Sequence, residues 1–428
     1  MTTLLERAKG SPLDVVLDRN SPSNTITLLP PHARQFKHLT FSGNLWSQIS
    51  AFSQVISGPL PLLRTLKISV RPSYGLNSQY NEFPPLLFSG AVNLEEFDFE
   101  PWSTGSLKNF LFQNLTTFKL STAPMVDFNA SDLFNFLKAS PMLQTVEVVF
   151  GCEVVLESDP GELVVLPNVK TFSLSVDGTV QQVYEPAARI SCPHATSTLL
   201  EQRIFDDHLS HGMEIFPNPV SCKAIVHQYS TSSAEEVTLK IGGHEFMTDV
   251  TYSLTFKSSD AAVIRFGLQL GKSGEDHEDL PMSLERMDLE IFTQGCRTIQ
   301  SHPLLSHIKR LHIKGESTYF SGTHMVYMLW ELLGSMGPLD ELAFHGFDLE
   351  ELLPEFGSAG RVCPPVKKLT ISEEWMFDEE RCADVLVRFA QLQHELEKPF
   401  ERVTIYARDF PAVVAERLRQ WVGAVDYY

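Results

Sequence analysis

The stretch LRTLKIS, residues 63–69, carries the pattern that decides the fold. It places apolar side chains at Leu63, Leu66 and Ile68, in the order apolar-x-x-apolar-x-apolar. The last two of these positions are two residues apart, and on a β-strand such residues point to the same face of the sheet. The phrase therefore predicts a strand with one buried face.

The same six-residue template occurs at twelve places along the chain. Between successive first positions, nine of the eleven steps lie between 21 and 34 residues, and the other two are 65 and 50. Such a period is typical of stacked repeat proteins, and leucine-rich repeats carry this kind of strand phrase. The twelve matches are Phe36/Leu39/Phe41, Leu63/Leu66/Ile68, Leu94/Phe97/Phe99, Leu115/Phe118/Leu120, Leu143/Val146/Val148, Val169/Phe172/Leu174, Ala234/Val237/Leu239, Leu284/Met287/Leu289, Ile308/Leu311/Ile313, Leu339/Leu342/Phe344, Val366/Leu369/Ile371 and Phe400/Val403/Ile405.

One unit of this kind cannot bury its apolar face alone, whereas stacked units make a continuous core. We therefore predict an α/β fold, specifically an irregular leucine-rich-repeat solenoid of strand-turn-helix units with parallel strands on its concave face. The two long steps indicate one degenerate unit inside each. The alternative is an ordinary α/β protein whose strands happen to look alike.

Apolar residues spaced three and four apart predict the helices between the strand phrases. These helices are expected at residues 1–10, 44–57, 131–140, 323–336, 378–398 and about 411–422.

The chain divides into residues 1–18, a helix followed by a strand, and residues 19–428, the repeat array. Residues 177–283 form an irregular middle, for which a two-part array is the alternative. Within it, LLEQRIF (199–205) predicts one strand, and alternating apolar residues over 250–270 predict a β-hairpin. A polar, acidic surface loop is expected at 272–281.

Charge and cysteine usage narrow the classes of partner and compartment. The 428 residues include 34 basic and 53 acidic side chains, a net charge of −19, which argues against nucleic acid or an anionic membrane as a partner. The six cysteines lie far apart without CxxC spacing, as in proteins that keep their thiols reduced. With no secretory leader pattern and no long apolar run, a cytoplasmic or nuclear location is expected.

Motifs for chemistry are weak throughout the sequence. GLQLGKS (267–273) has three residues between its first glycine and the Gly-Lys pair, whereas a phosphate-binding loop needs four. Cys296, His302, His307 and His312 are spaced too widely for a typical zinc site. We therefore predict no catalytic residue, no metal site and no cofactor, and a non-catalytic binding protein. An enzyme centred on residues 177–283 is the least favoured alternative.

Candidate binding residues come from the strand face opposite the predicted core. They are the charged or imidazole side chains that alternate with the buried pair of each phrase, a surface that solenoids use for protein recognition. They change from acidic to mixed and basic along the chain, so a ligand contacting both ends would need complementary charge. These residues are Glu96, Asp98, Glu100, Arg286, Asp288, Glu290, Arg310, His312, Lys314, His345, Lys368 and Arg402.

Several phrases also resemble one protein family. LLERAKGSPLDVVLD (4–18) is similar to the segment that follows the F-box in mushroom-type fungal F-box proteins, where L-E-R-S/A-x-x-S-P-L-D precedes irregular leucine-rich repeats. The resemblance extends over the whole chain and is carried by LPPHARQFKHLTF (29–41), LPLLRTLKI (60–68), LEEFDFE (94–100), AEEVTLKI (234–241) and LLSHIKRLHIKG (304–315).

The resemblance implies the substrate-binding part of an F-box-type ubiquitin ligase receptor. In that family the F-box, an L-P-x-E-I/L helix followed by a Cys-x-x-W region, binds a Skp-type adaptor and through it a cullin. No such motif precedes Leu4. Adaptor and cullin are therefore expected only for a longer form that supplies an F-box, and a ligase-independent structural scaffold is the alternative function.

Overall fold

In this computed structural model, the structure describes residues 10–18, 20–21, 23–43, 58–70, 90–100, 107, 110, 112–122, 128–151, 154–155, 163–177, 180–205, 216–217, 225, 234–241, 249–258, 262–271, 281–300, 305–315, 323–346, 364–372, 381–407 and 410–428. The predicted helices at 1–10 and 44–57 and the predicted loop at 272–281 lie outside these residues, apart from Gly10 and Pro281.

The described elements comprise strands, α-helices and two short 3₁₀ segments. The strands are β1 Leu13–Leu17, β2 Phe36–Gly43, β3 Thr65–Val70, β4 Glu96–Glu100, β5 Thr117–Thr122, β6 Phe128–Asn129, β7 Thr145–Phe150, β8 Val154–Val155, β9 Val164–Val165, β10 Thr171–Asp177, β11 Ile190–Ser191, β12 Ser197–Phe205, β13 Ala234–Ile241, β14 Asp249–Ser258, β15 Val263–Gly271, β16 Arg310–Gly315, β17 Leu339–His345, β18 Val366–Ser372, β19 Arg402–Tyr406 and β20 Ala424–Tyr427. The helices are α1 Ser23–Thr27, α2 Ala130–Lys138, α3 Val180–Ala188, α4 Pro281–Gln300, α5 Thr323–Ser335, α6 Arg381–Glu395 and α7 Ala412–Leu418, with 3₁₀ segments at Pro30–Gln35 and Leu305–His307.

The fold is α/β, with one large sheet of sixteen strands among the described residues. The chain separates into two compact units, Met1–Leu200 and Glu201–Tyr428. Most neighbouring strands are parallel; β14 is antiparallel to both β13 and β15, which confirms the hairpin expected over 250–270. Two further parallel pairs, β6 with β8 and β9 with β11, form separate small sheets.

In the N-terminal unit the template residues stack in register across the sheet. The second apolar position of each phrase lies directly opposite that of the next, and every member of this row is buried, with no more than 1% of its surface exposed. The row runs Leu39, Leu66, Phe97, Phe118, Val146 and Phe172. The repeated phrase therefore predicts both the strands and their buried face correctly in this unit.

The C-terminal unit builds its core in the same way. Its strand order is β15-β14-β13-β16-β17-β18-β19-β20, and from β13 through β16 to β20 the neighbours are parallel. The matching row of second apolar positions is Val237, Leu311, Leu342, Leu369 and Val403, all with 0% exposure, and Val425 extends it into β20.

A recurring turn leads into the strands. The backbone N–H groups of Thr116 and Thr117 both donate to the carbonyl of Glu95, and those of Gln144 and Thr145 both donate to the carbonyl of Thr116. The same paired bonds recur in the C-terminal unit, where Asp340 and Glu341 donate to Lys309. Since the bonds link equivalent positions of successive phrases, they hold neighbouring strands in one register.

Asparagine side chains add a second link between successive turns. Asn93 Nδ2 donates to the carbonyl of Pro61 at 2.8 Å, Asn114 Nδ2 to Val92 at 2.7 Å and Asn168 Nδ2 to Pro141 at 3.0 Å. Each asparagine precedes the first apolar residue of its phrase, and each acceptor lies two residues before the first apolar residue of an earlier phrase.

Aromatic packing fixes helix α2 against the sheet of the N-terminal unit. Phe136 of α2 lies with its ring centroid 4.4 Å from that of Phe118 on β5. Phe97 on β4 contacts Phe110 edge-on at 5.0 Å, and Phe112 lies 5.3 Å from Phe97. These rings are buried and make a phenylalanine cluster at the centre of the unit.

Among the helices predicted from periodicity, four have described counterparts in α2, α5, α6 and α7. The repeat strand predicted at Leu284/Met287/Leu289 is wrong, because residues 281–300 form helix α4. The first two template positions are three residues apart, a spacing that fits a helix as well as a strand. Buried residues at Ile291, Phe292, Cys296 and Ile299 continue the helical period beyond the phrase.

The irregular middle contains more order than its sequence indicates. The strand predicted at LLEQRIF is present as β12. Its buried residues Thr198 and Leu200, together with the buried Ala195 that precedes the strand, fit the template with threonine in the second apolar position. These three residues belong to the degenerate unit that was expected within the 65-residue step between Val169 and Ala234. Helix α3 follows β10 and was not predicted, and it contains Pro186. No described helix is both long enough and apolar enough to span a membrane.

Candidate functional site

The face of the C-terminal sheet opposite its core presents three rows of side chains across β13, β16, β17, β18 and β19. We call them the paired row, the central row and the donor row. Register places Glu236, Arg310, Glu341, Lys368 and Arg402 in the paired row; Thr238, His312, Ala343, Thr370 and Thr404 in the central row; and Lys240, Lys314, His345, Ser372 and Tyr406 in the donor row.

In the paired row, basic residues bind carboxylates across the strands; the first four positions alternate in charge, and the basic Arg402 follows Lys368. Arg310 Nη2 lies 3.2 Å from Glu236 Oε2, and Lys368 Nζ lies 2.9 Å from Glu341 Oε1. Arg402 Nε lies 3.5 Å from Asp426 Oδ2 on β20. Three of the predicted binding cations are thus held by carboxylates of neighbouring strands.

Glu341 is the centre of this arrangement. Its side chain is 20% exposed, and Oε1 accepts hydrogen bonds from Lys368 Nζ and from Thr370 Oγ1, each at 2.9 Å. Burial raises the pKa of Glu341, but the two hydrogen bonds and the nearby cations outweigh that effect, so the pKa lies below its ordinary value. Glu341 is therefore ionised and holds Lys368 and Thr370 in place.

His312 and His345 lie half-buried on adjacent strands, with ring centroids 6.3 Å apart. His312 Nε2 lies 3.7 Å from Glu341 Oε2, beyond hydrogen-bonding distance, and it is buried without a hydrogen-bond partner in the described part of the chain. Burial lowers the pKa of both histidines; for His345 the positive charge of Lys314 lowers it further. Both imidazoles are accordingly neutral near pH 7.

The donor row differs from the paired row because it contains no carboxylate. Lys314 and His345 lie directly opposite each other, followed by Ser372 and Tyr406. Lys314 and Tyr406 are exposed, and Tyr406 stacks on Tyr428 with ring centroids 5.3 Å apart. No ion pair to Lys314 occurs within the described residues.

In the N-terminal unit, the predicted acidic residues also have partners on the neighbouring strand, which is β3. Lys67 Nζ lies 3.8 Å from both Glu96 Oε1 and Asp98 Oδ2, and Glu100 accepts a hydrogen bond from Ser69 Oγ. Burial raises the pKa of Asp98 more than the neighbouring lysines lower it. In register with Asp98, Lys119 pairs with Glu147 at 3.3 Å, so the row Lys67, Asp98, Lys119 and Glu147 alternates in charge.

The structure separates one predicted group from the rest. Arg286, Asp288 and Glu290 were expected on a repeat strand, but they lie in helix α4, and their side chains are outside the described part of the structure. Of the other predicted residues, the structure brings Arg310, His312, Lys314, His345 and Lys368 together on β16, β17 and β18.

The ionic partners Glu236, Glu341 and Lys67 were missed from the sequence. The signal was present: aligning the template matches puts Glu236, Arg310, Glu341, Lys368 and Arg402 at one position, immediately before the second apolar residue. Opposite charges at one position of neighbouring parallel strands meet across the sheet.

Groups suited to covalent or metal chemistry do not converge in the described structure. Cys192 and Cys296 are buried, and burial raises the pKa of Cys192 to about 12. No three His, Cys, Asp or Glu side chains among the described residues lie close enough to hold a metal ion. Gly267 and Gly271, from the glycine-rich phrase, lie within strand β15.

A cavity of about 470 Å³ lies beside helix α5. Its walls are formed largely by Tyr327, Trp330, Met336 and three prolines, and its charged lining side chains are Glu331 and Lys398. The lining contains no histidine or cysteine. The cavity therefore lacks the convergent titratable groups expected of an active site.

Comparison with models of protein families finds no match to this chain, and a search of curated proteins finds none either. The face of the C-terminal sheet that carries the three rows, which we call the open face, is thus the basis on which a function is inferred.

Proposed function

We propose that this chain is a non-catalytic protein-recognition module that binds its partner on the open face of the sheet. The observation that carries the proposal is the arrangement of Arg310, His312, Lys314, His345 and Lys368, which the neighbouring strands β16, β17 and β18 present side by side with the carboxylates of Glu236 and Glu341. A rigid sheet that presents fixed charges suits recognition of a protein surface, because complementary charge provides specificity.

We further propose that the fold is a leucine-rich-repeat solenoid with its parallel strands on the concave side. Support comes from the steps of 21 to 34 residues between most phrases and from the recurring turn that links equivalent residues such as Glu95 and Thr116. Stacked units of this kind create extended surfaces for protein binding.

The partner class that fits best is a ubiquitination target. The resemblance of residues 4–18 and of the strand phrases to mushroom-type F-box proteins supports this assignment. In such a receptor the repeat region binds the target, while an F-box in a longer form binds a Skp-type adaptor and cullin. Widely spaced cysteines fit a cytoplasmic or nuclear location. A ligase-independent scaffold is the second candidate, since its binding surface would be the same.

Capture of partners from a fungal lysate, followed by mass spectrometry, tests this function when variants of the open face are included. The double variant Arg310→Glu/Lys314→Glu reverses charge on the open face, and Glu96→Lys/Asp98→Lys reverses charge on the corresponding strand face of the N-terminal unit. The control Arg419→Glu changes an exposed charge after helix α7. We expect the bound protein to be retained by the control and lost from at least one double variant.

The eluate also separates the two candidates. An adaptor and cullin captured with the target would support the ligase receptor, whereas a stoichiometric partner without them would support the scaffold. If both double variants, shown by circular dichroism to be folded, capture the same proteins as the unaltered chain, the open face is not the binding surface.

A further inference from the structure

The donor row has the composition of an anion-binding surface. Its five positions are Lys240, Lys314, His345, Ser372 and Tyr406, all able to donate hydrogen bonds. The neighbouring paired row holds carboxylates that pair with its cations, whereas no carboxylate occupies any of the five positions of the donor row. The chain as a whole has a net charge of −19, so a row without acidic residues is an exception to its composition.

Lys314 and His345 form the middle of this row. Lys314 is exposed and lies directly across from His345, and the two have no carboxylate in the donor row between or beside them. The positive charge of Lys314 is therefore felt by His345 and contributes to its lowered pKa. Near pH 7, where His345 is neutral, Lys314 supplies the positive charge of this pair and His345 can add an N–H donor.

The donors favour carboxylates over phosphates. Phosphate groups are commonly bound by arginine forks, and the two arginines of the three rows, Arg310 and Arg402, are already paired with Glu236 and Asp426. Nucleic acid is disfavoured because its many phosphates would meet the negative charge of the whole chain. Lysine, imidazole and hydroxyl donors remain. Lysine also binds phosphate as a point charge, so the preference for carboxylates rests on the missing arginine fork.

We propose that the donor row binds an acidic segment of a protein partner in extended conformation. Five neighbouring strands place the ends of the row roughly 19 Å apart, and about six extended residues span that length. Three acidic residues at alternate positions would then face the row. This inference rests on the proposed recognition function and names the chemistry of its partner.

Fluorescence anisotropy tests the inference with a fluorescein-labelled peptide, Glu-Ala-Glu-Ala-Glu-Ala, at about 0.15 M salt. A peptide with Glu-Glu-Glu-Ala-Ala-Ala carries the same charge in a different order, and one with lysine in place of glutamate reverses the charge. We expect the alternating acidic peptide to bind best and the lysine peptide not to bind. Lys314→Glu should weaken binding about tenfold, and Lys314→Gln by less.

Arg419→Glu is the matched control, because it makes the same change in charge outside the open face and should leave the affinity within about twofold. Equal binding by Lys314→Glu and the unaltered chain would overturn the inference. So would much tighter binding of a peptide with phosphoserine in place of glutamate, which would assign the row to phosphate. If the acidic peptide does not bind while the captured partner still depends on the open face, this inference fails and the proposed function stands.

Discussion

His312 and His345 give the open face a response to acid that can be derived from their surroundings. Burial lowers the pKa of both, and the groups facing them are Lys314 and Arg310 on β16 together with Glu341 on β17 and Glu236 on β13. A histidine whose pKa is lower in the folded state binds protons less readily there than in the unfolded chain. The contribution of the two neutral histidines to the free energy of unfolding is therefore fully present above about pH 6.5, the pKa of histidine in the unfolded chain. It declines as the pH falls below that value.

We expect the double variant His312→Gln/His345→Gln to lose part of this acid sensitivity. Between about pH 7.5 and pH 5.5, its melting temperature should fall less than that of the unaltered chain, because glutamine does not titrate. Thermal unfolding followed by circular dichroism at both pH values measures the difference. His307→Gln alters an exposed histidine and serves as the control. An equal fall in the double variant and the unaltered chain would contradict the assignment of the acid response to this pair.

Gly346 occupies a position that no other residue fits. Its φ is +69°, and a Cβ built on it would lie 2.0 Å from the carbonyl oxygen of Gly315. We expect Gly346→Ala to lower the free energy of unfolding by about 2 kcal/mol or more, since left-handed backbone and steric overlap both oppose the methyl group. Urea unfolding measures the change.

Gly334 provides the matched control, because it lies in helix α5 and a Cβ there meets nothing within 4 Å. Gly334→Ala should raise the free energy of unfolding by up to about 1 kcal/mol, as alanine favours a helix more than glycine does. If Gly346→Ala, like the control, left the free energy of unfolding unchanged or raised it, the strain assigned to Gly346 would be wrong.

At the scale of the element, asparagine side chains stabilise the turns that precede the strands. Asn114 Nδ2 donates to the carbonyl of Val92, in the preceding turn. We expect Asn114→Ala to lower the free energy of unfolding by about 1 kcal/mol, and Asn114→Asp to lower it by a similar amount, because a carboxylate cannot donate. Urea unfolding of the two variants tests this. Asn135→Ala, on the exposed side of helix α2, is expected to have little effect; an equal loss there would show that the link between turns contributes nothing.

Burial of the apolar template positions explains how far the sequence predicts the elements. The phrase beginning at Leu63 predicts its strand because Leu66 and Ile68 must share one buried face. A further unit was not predicted because its second apolar position is Thr198, and a buried threonine does not fit an apolar template. For residues 281–300 a strand was predicted where the structure has a helix. Leu284 and Met287 fit the template, but Ile291 and Cys296 continue a helical period.

The candidate site was only half predictable for a related reason. The residues that face away from the core, such as Lys314 and His345, follow from alternation along a single strand. Whether these residues form ion pairs depends on which residues lie opposite them on neighbouring strands, and therefore on the register of the sheet. Glu341 was missed because it matters through its bonds to Lys368 and Thr370, which belong to the next strand.

At the scale of the whole molecule, local and overall charge have opposite signs. The three rows, with Lys257 of β14 and Asp426 of β20 added as register partners, include six basic side chains and three carboxylates. The entire chain has a net charge of −19. An acidic peptide is thus repelled at long range and attracted only near the open face, and salt screens the long-range effect more strongly.

This contrast predicts an unusual dependence of binding kinetics on salt for the acidic hexapeptide. Between about 0.03 M and 0.15 M salt, we expect the association rate constant to rise, because repulsion by the whole chain is screened, while the dissociation rate constant also rises as contacts with Lys314 weaken. Stopped-flow fluorescence measures both. In Lys314→Glu the association rate should still rise with salt, because repulsion by the rest of the chain remains, while the dissociation rate should depend on salt less. An association rate that falls with salt in the unaltered chain would mean that the basic rows, and not the net charge, control the approach of the peptide.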